Sequence, residues 1–344
     1  MITAEQVQSA LEMLKGKKKI AIITHIAPDG DAMGSSLGLS SWLQSNRDLG
    51  CPEVKVIIPS TYPNFLAWLP AADTCIDYAS NQEQAEQAVR ESDLLFCLDF
   101  NEPKRVGDAA ALFPLAQCPK ILVDHHLHPD EDMVDLVISY PEAPAACFLV
   151  LELINSLNRL TNADTTISTE VATCLYCGLM TDTGNFAFNS NNPVLYEMIA
   201  QLLRAGINKD EIYDAVFNQF SVSRMELMGY CLFRKMKVYK NYHTALITLS
   251  ASELKRFNFQ KGDSEGIVNL PLQIADIRYS VFMREDTDRI KISFRSQGDH
   301  PVNIFAHDYF GGGGHKNAAG GESFHTLDAT VKSFEDHFRE YFSK

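Results

Sequence analysis

Apolar residues run in short unbroken blocks through the first part of the chain: KKIAIITH (18–25), VKVIIPS (54–60), LLFCLDF (94–100) and KILVDHH (120–126). Each block is brief, β-rich and bounded by turn-forming residues, which predicts buried strands. Between them SSLGLSSWLQSN (35–46) and NQEQAEQAVRES (81–92) predict helices. Strand–helix alternation of this kind predicts a parallel sheet with helices on both faces, an α/β fold. From about residue 144 the pattern turns helical, through 144–158, 167–184, 191–206, 208–219 and 221–237. Strands resume at NYHTALITLS (241–250), IRYSVFMRED (277–286) and RIKISFRSQG (289–298). The expected organisation is a parallel-sheet domain over 1–190, a helical connector over 191–240 and a smaller mixed α/β domain over 241–344.

Polar residues able to do chemistry gather where the apolar blocks end. His25 closes the first block, Asp99 nearly closes the third, and Asp124, His125 and His126 close the fourth. In an open parallel sheet, ligands bind at the carboxyl ends of the strands. Asp29 and Asp31 follow His25 in THIAPDGDAMGSS, a segment whose proline and glycines predict a turn. Two aspartates two residues apart can address adjacent ions from such a turn. Gly34, Ser35 and Ser36 are expected to open the next helix, with N–H groups suited to an anion. Asp182 in GLMTDTGNF ends an apolar helical run before a glycine turn. A carboxylate at the end of a buried strand needs a partner, because an unpaired buried charge is costly. Oxygen-rich ligands with a few imidazoles suit Mn²⁺ or Mg²⁺. Two such ions sharing one carboxylate can bind a water-derived nucleophile and a phosphoryl oxygen together.

Composition narrows the class of substrate. The net charge of −14 argues against coating long nucleic acid, which needs a basic footprint, but not against a short anionic substrate held through metals. The charge is uneven: residues 241–344 carry 12 basic and 14 acidic side chains, leaving 18 and 30 for residues 1–240. The eight cysteines are irregularly spaced and several sit in apolar runs, as expected of free thiols in a reducing cytoplasm. Cys174 and Cys177 lie in such a run without a second pair, so they are assigned to the core. No secretory signal and no membrane span is expected.

These residues resemble the DHH phosphoesterase superfamily. His25-x-x-x-Asp29-x-Asp31 looks like its first motif, Asp99 its second, Asp124-His125-His126 the triplet that names it, and Asp182 its fourth. FGGGGHKNAAGG (310–321), with SFRS upstream, is similar to the DHH-associated substrate-binding domain. The resemblance covers nearly the whole chain and is nearest to the NrnA-type oligoribonucleases, which also act as 3′-phosphoadenosine 5′-phosphate phosphatases. It implies one Mn²⁺ on His25, Asp29 and Asp99 and a second on Asp31, Asp99, His125 and Asp182, with Mg²⁺ as the alternative metal. It further implies that His126 meets the scissile phosphate and Asp124 orients the histidines.

The second domain also reads physically. In RIKISFRSQG, Ile290, Ile292 and Phe294 alternate with Lys291, Ser293 and Arg295, so one face is core and the other cationic. Arg295, Ser296, Gly312, Gly313, Gly314 and His315 are the expected substrate-binding residues, with backbone N–H groups of the glycine run able to cradle a phosphate. Four activities compete: hydrolysis of very short RNA together with 3′-phosphoadenosine 5′-phosphate, hydrolysis of polyphosphate or pyrophosphate, cleavage of dinucleotides, and nucleotide binding without catalysis. A cationic strand with a glycine cradle favours a nucleotide over a base-free substrate, and a full ligand set favours an enzyme.

Overall fold

The computed structural model describes residues 1–161, 167–260 and 262–341. Two units divide the chain, Met1–Gln219 and Phe220–Lys344. The first is built on a six-stranded, all-parallel sheet in the order β3-β2-β1-β4-β5-β6. Its strands are β1 (Lys19–Ile23), β2 (Glu53–Ile58), β3 (Ile76–Asp77), β4 (Leu94–Leu98), β5 (Lys120–Asp124) and β6 (Leu136–Ser139). Four of them are the apolar blocks of the sequence; β3 and β6 are short edge strands that the pattern does not announce. Its helices are α1 (Ala4–Leu14), α2 (Gly30–Ser45), α3 (Gln82–Arg90), α4 (Ala146–Thr161), α5 (Thr169–Asp182), α6 (Pro193–Arg204) and α7 (Lys209–Phe217).

Both sheet faces are buried, which is why the strands read as unbroken apolar runs rather than alternating ones. Ile20, Ile22, Phe96 and Val123 join a core with α1, α2, α4 and α5. Ala21, Ile23, Leu95 and Leu122 join a second core with α3 and the 3₁₀ run Pro103–Leu115. The chain leaves β1 toward one edge and β4 toward the other, so the topological switch point lies between these neighbouring strands. Side chains beyond their carboxyl ends face a crevice with no crossing connection.

One helix start differs from expectation. α2 begins at Gly30, so Gly34, Ser35 and Ser36 lie inside it rather than at its N-terminus. Asp29 is the cap: its Oδ1 accepts the N–H groups of Asp31 at 3.0 Å and Ala32 at 3.1 Å. The glycines serve packing instead. Gly30, Gly34 and Gly38 recur every four residues and form one helix face against α5. A Cβ at Gly34 would strike the Cys174 carbonyl, and one at Gly178 would lie 2.9 Å from Asp31 Oδ1. This close antiparallel approach sets the end of α5, with Asp182, beside the start of α2.

The second unit carries a mixed six-stranded sheet, β11-β12-β10-β9-β8-β7. Its elements are α8 (Val222–Tyr230), β7 (Lys237–Tyr239), β8 (Thr244–Leu249), α9 (Ala251–Arg256), β9 (Tyr279–Glu285), β10 (Ile290–Ser296), α10 (Asn303–Phe310), β11 (Gly313–His315), β12 (Ala318–Ser323) and α11 (Leu327–Tyr341). Ile290, Ile292 and Phe294 face a core that includes Phe305 and Phe334. Among the described residues no helix is long and apolar enough to cross a membrane.

Candidate active site

Eight predicted residues of the first unit converge on the switch-point crevice. Asp99 lies at their centre, in the turn after β4, with a left-handed φ of 62°. A non-glycine residue in that region is uncommon and is found where a site demands it. Its Oδ2 is 3.4 Å from His25 Nε2 and its Oδ1 is 3.5 Å from His125 Nε2. His125 Nε2 also lies 3.5 Å from Asp182 Oδ2 and 3.8 Å from Asp31 Oδ2. His25 Nε2 lies 3.8 Å from Asp29 Oδ1.

Each imidazole is aimed by a contact on its other nitrogen. His25 Nδ1 is 2.9 Å from the Ile26 carbonyl, and His125 Nδ1 is 3.2 Å from the Ala143 carbonyl. A carbonyl only accepts, so both rings carry their proton on Nδ1 and turn Nε2 to the carboxylates. Asp31 is fixed by a helix it does not belong to: its carboxylate accepts the N–H groups of Ala146 at 2.6 Å and Cys147 at 2.9 Å at the start of α4. The exposed N–H groups of that first turn are thereby satisfied by negative charge.

Asp31, Asp99 and Asp124 are all buried. Burial and the neighbouring Asp99 push the Asp31 carboxyl up to about 7. Burial opposes a proton on His25, yet Asp29 and Asp99 hold its imidazole up at about 10. Burial likewise opposes a charged Asp99, but His125 and His25 keep its carboxyl well below the usual range. The cluster gathers five carboxylates and is short of positive charge, which is why the His25 and His125 imidazoles are pushed up.

Divalent cations fit that deficit. Asp99 Oδ1 is buried and makes no hydrogen bond. His25, Asp29 and Asp99 present ligand atoms within 4.8 Å of one another, as do Asp31, Asp99 and His125. The two groups share Asp99. Carboxylate oxygens with single imidazoles are the donor set of Mn²⁺ or Mg²⁺ rather than of a structural zinc.

The sequence-predicted residues of the second unit are placed on its own sheet. Arg295 pairs with Ala318 on β12, and Ala318 pairs with His315 on β11, which puts Arg295 and His315 on one face, two strands apart. Ser296, expected beside Arg295, is buried on the other face. Its hydroxyl donates to the His300 carbonyl and accepts from Asn317 Nδ2 at 2.8 Å, so it braces a loop rather than meeting substrate. Sequence reasoning missed Arg105, whose Nη2 is 3.1 Å from His126 Nε2. No strand end marks it; it sits in the 3₁₀ run Pro103–Leu115 that follows Asp99.

Fold and site together define a phosphoester hydrolase on a parallel sheet. A model of the DHH family, N-terminal domain, matches residues 19–179, and a model of the DHHA1 domain matches residues 242–344. The chain belongs to the DHH family. A Thermus thermophilus relative, named bifunctional oligoribonuclease and PAP phosphatase NrnA, is 32% identical over 319 residues, 92% of this chain and 88% of its own. A Bacillus subtilis protein of the same name is 24% identical over 302 residues, covering 88% of each chain. The crystal structure of an exopolyphosphatase-related protein from Bacteroides fragilis superposes with a TM-score of 0.93 at 43% identity, covering 100% of this chain and 98% of that one. The Thermus thermophilus RecJ structure in complex with Mn²⁺ shares the fold alone, with a TM-score of 0.54 at 13% identity over 98% of this chain and 54% of that one.

Proposed function

We propose that the protein is a two-metal phosphoesterase that cuts very short RNA to nucleoside 5′-monophosphates and converts 3′-phosphoadenosine 5′-phosphate to AMP. The observation that carries this reading is the pair of ligand groups sharing Asp99. In it, His25, Asp29 and Asp99 hold one Mn²⁺, and Asp31, Asp99, His125 and Asp182 hold the other, with Mg²⁺ as the alternative. The ions, when bound, supply Lewis acidity: an acidified water and charge compensation at the phosphoryl oxygens. The chain's own residues orient and bind. Asp124 accepts the His126 Nδ1 proton in a hydrogen bond of 2.7 Å and so fixes the ring that faces the phosphate. In this reading residues 1–190 are the catalytic domain and 241–344 the substrate-binding domain, where Arg295, His315 and the backbone at Gly313 grip the nucleotide; of the expected helical connector 191–240, α6 and α7 fall in the first unit, and α8 and strand β7 in the second. The thiols are free, which suits work in the cytoplasm.

The names of the NrnA relatives support the nucleotide substrates. The likeness to an exopolyphosphatase-related protein in Bacteroides fragilis supports the rival, a polyphosphatase. A panel with Mn²⁺ decides: di- to pentaribonucleotides, long RNA, 3′-phosphoadenosine 5′-phosphate, cyclic dinucleotides, polyphosphate and pyrophosphate. Release of 5′-monophosphates from the short RNAs is expected. Turnover confined to polyphosphate or pyrophosphate would replace this reading with its rival.

A further inference from the structure

Arg105 is held by backbone on both sides. Its N–H donates to the Glu102 carbonyl at 3.0 Å, and its carbonyl accepts the Ile26 N–H at 2.8 Å, which ties it to the turn carrying His25. A guanidinium has donors only and keeps its charge, so the contact between Arg105 Nη2 and His126 Nε2 is a donation to the imidazole. His126 therefore carries its proton on Nδ1, as its bond to Asp124 also requires.

That contact leaves the cation poorly matched. Arg105 Nε is buried and has no hydrogen-bond partner. Aspartates 29, 31, 99, 124 and 182 make up the cluster, yet among the described residues none forms an ion pair with Arg105. A structural arginine beside so many carboxylates would be expected to pair with one. An arginine that keeps its charge uncommitted next to a phosphoester site is suited to an incoming anion, because its planar fork can take two phosphate oxygens at once.

We propose that Arg105 is a phosphate ligand of the active site, gripping a non-bridging oxygen of the scissile phosphoryl group beside His126. The proposal rests on the phosphoesterase reading and adds to it a protein cation that acts alongside the metals. The rival role is positioning alone, in which Arg105 only fixes the His126 ring.

The test is the dissociation constant of inorganic phosphate for the Mn²⁺-loaded protein, measured by calorimetry on wild type, Arg105→Lys and Arg105→Gln, with Mn²⁺ content determined in parallel. Phosphate should bind at least tenfold more weakly to Arg105→Gln, with Arg105→Lys in between because it keeps the charge but loses the fork. Equal binding by wild type and Arg105→Gln overturns the proposal, and so does equal binding by the Lys and Gln variants. Phosphate binding needs no turnover, whereas the substrate panel is read on wild type alone, so the failure of one is distinguishable from the failure of the other.

Discussion

Asp124 holds His126 at two points: its Oδ1 accepts from the ring Nδ1 at 2.7 Å, and its Oδ2 accepts from the backbone N–H at 3.1 Å. The residues are two apart, so the carboxylate closes a tight turn and sets the imidazole in one act. Such a partner acts through the group it orients. Asp124→Ala should lower kcat by about 10–100-fold, the range for removing a second layer of ligand support, while KM moves less and Mn²⁺ content stays near wild type. Metal analysis beside steady-state kinetics checks this; loss of an ion would make Asp124 a ligand instead.

Asp99 calls for a different substitution. Alanine in its left-handed conformation would add about 1–2 kcal/mol of backbone strain, which would blur a catalytic effect. Asparagine tolerates that region. Asp99→Asn should keep the metal-free melting temperature within a few degrees of wild type. It should lose bound Mn²⁺, and turnover should fall by about 10²–10³-fold, the scale seen when a charge-stabilising group is removed. Wild-type turnover in this variant would end the shared-ligand assignment.

The direction of pH dependence follows from the same cluster. Without metal, His25 titrates near 10, so it carries a proton at neutral pH that an ion must displace. Asp31, near 7, is still partly protonated there. Mn²⁺ binding should release protons and tighten as pH rises from 6 to 8, by about tenfold per pH unit for each proton released. Calorimetry in buffers of different ionisation enthalpy measures the release directly. An affinity that does not change with pH would remove His25 and Asp31 from the ligand set.

The candidate site is legible in the sequence to the extent that its residues sit at the ends of strongly apolar blocks. His25, Asp99 and the Asp124–His126 triplet are marked by what precedes them, because a strand buried on both faces admits polar residues only at its ends. Asp182 is marked in the same way by the apolar run of α5. The start of α2 is harder to read, because glycine and proline near 28–34 have the look of a turn. The four-residue spacing of Gly30, Gly34 and Gly38 is the contrary signal, a helix face made small so that α5 can approach. β3 and β6 are too short to carry a pattern of their own. Arg105 has no local mark, since its place follows from the Ile26 and His126 contacts, which only the fold brings together.

The second unit offers a test that leaves the metals alone. Arg295 occupies the polar face of β10, and its Nη1 donates to the Phe294 carbonyl at 2.9 Å. Arg295→Ala should lower kcat/KM on dinucleotides by a factor matching about 1.5–3 kcal/mol for a charge-assisted hydrogen bond. Mn²⁺ content should not change. Pyrophosphate hydrolysis should change little, since that substrate offers no nucleoside to hold. Equal losses on both substrates would take nucleotide recognition away from Arg295.

The glycine run separates fold from function most sharply. A Cβ at Gly312 would run into the Gly320 carbonyl, and one at Gly314 into the Ala318 carbonyl, so β11 reaches β12 only because both positions lack a side chain. Gly314 also has a φ of 143°, a conformation other residues seldom adopt. Gly313, between them, meets nothing within 4 Å and has no such constraint. Gly312→Ala should therefore destabilise the second unit, by roughly 1–3 kcal/mol as for other overpacked sites, read as a lower melting temperature. Gly313→Ala should melt like wild type. If the exposed backbone at 313 lies against a substrate phosphate, the added methyl group should still raise KM for dinucleotides several-fold and leave pyrophosphate hydrolysis unchanged. A Gly313→Ala enzyme with wild-type KM would mean that the glycines serve the β11–β12 pairing alone and that the cradle is not there.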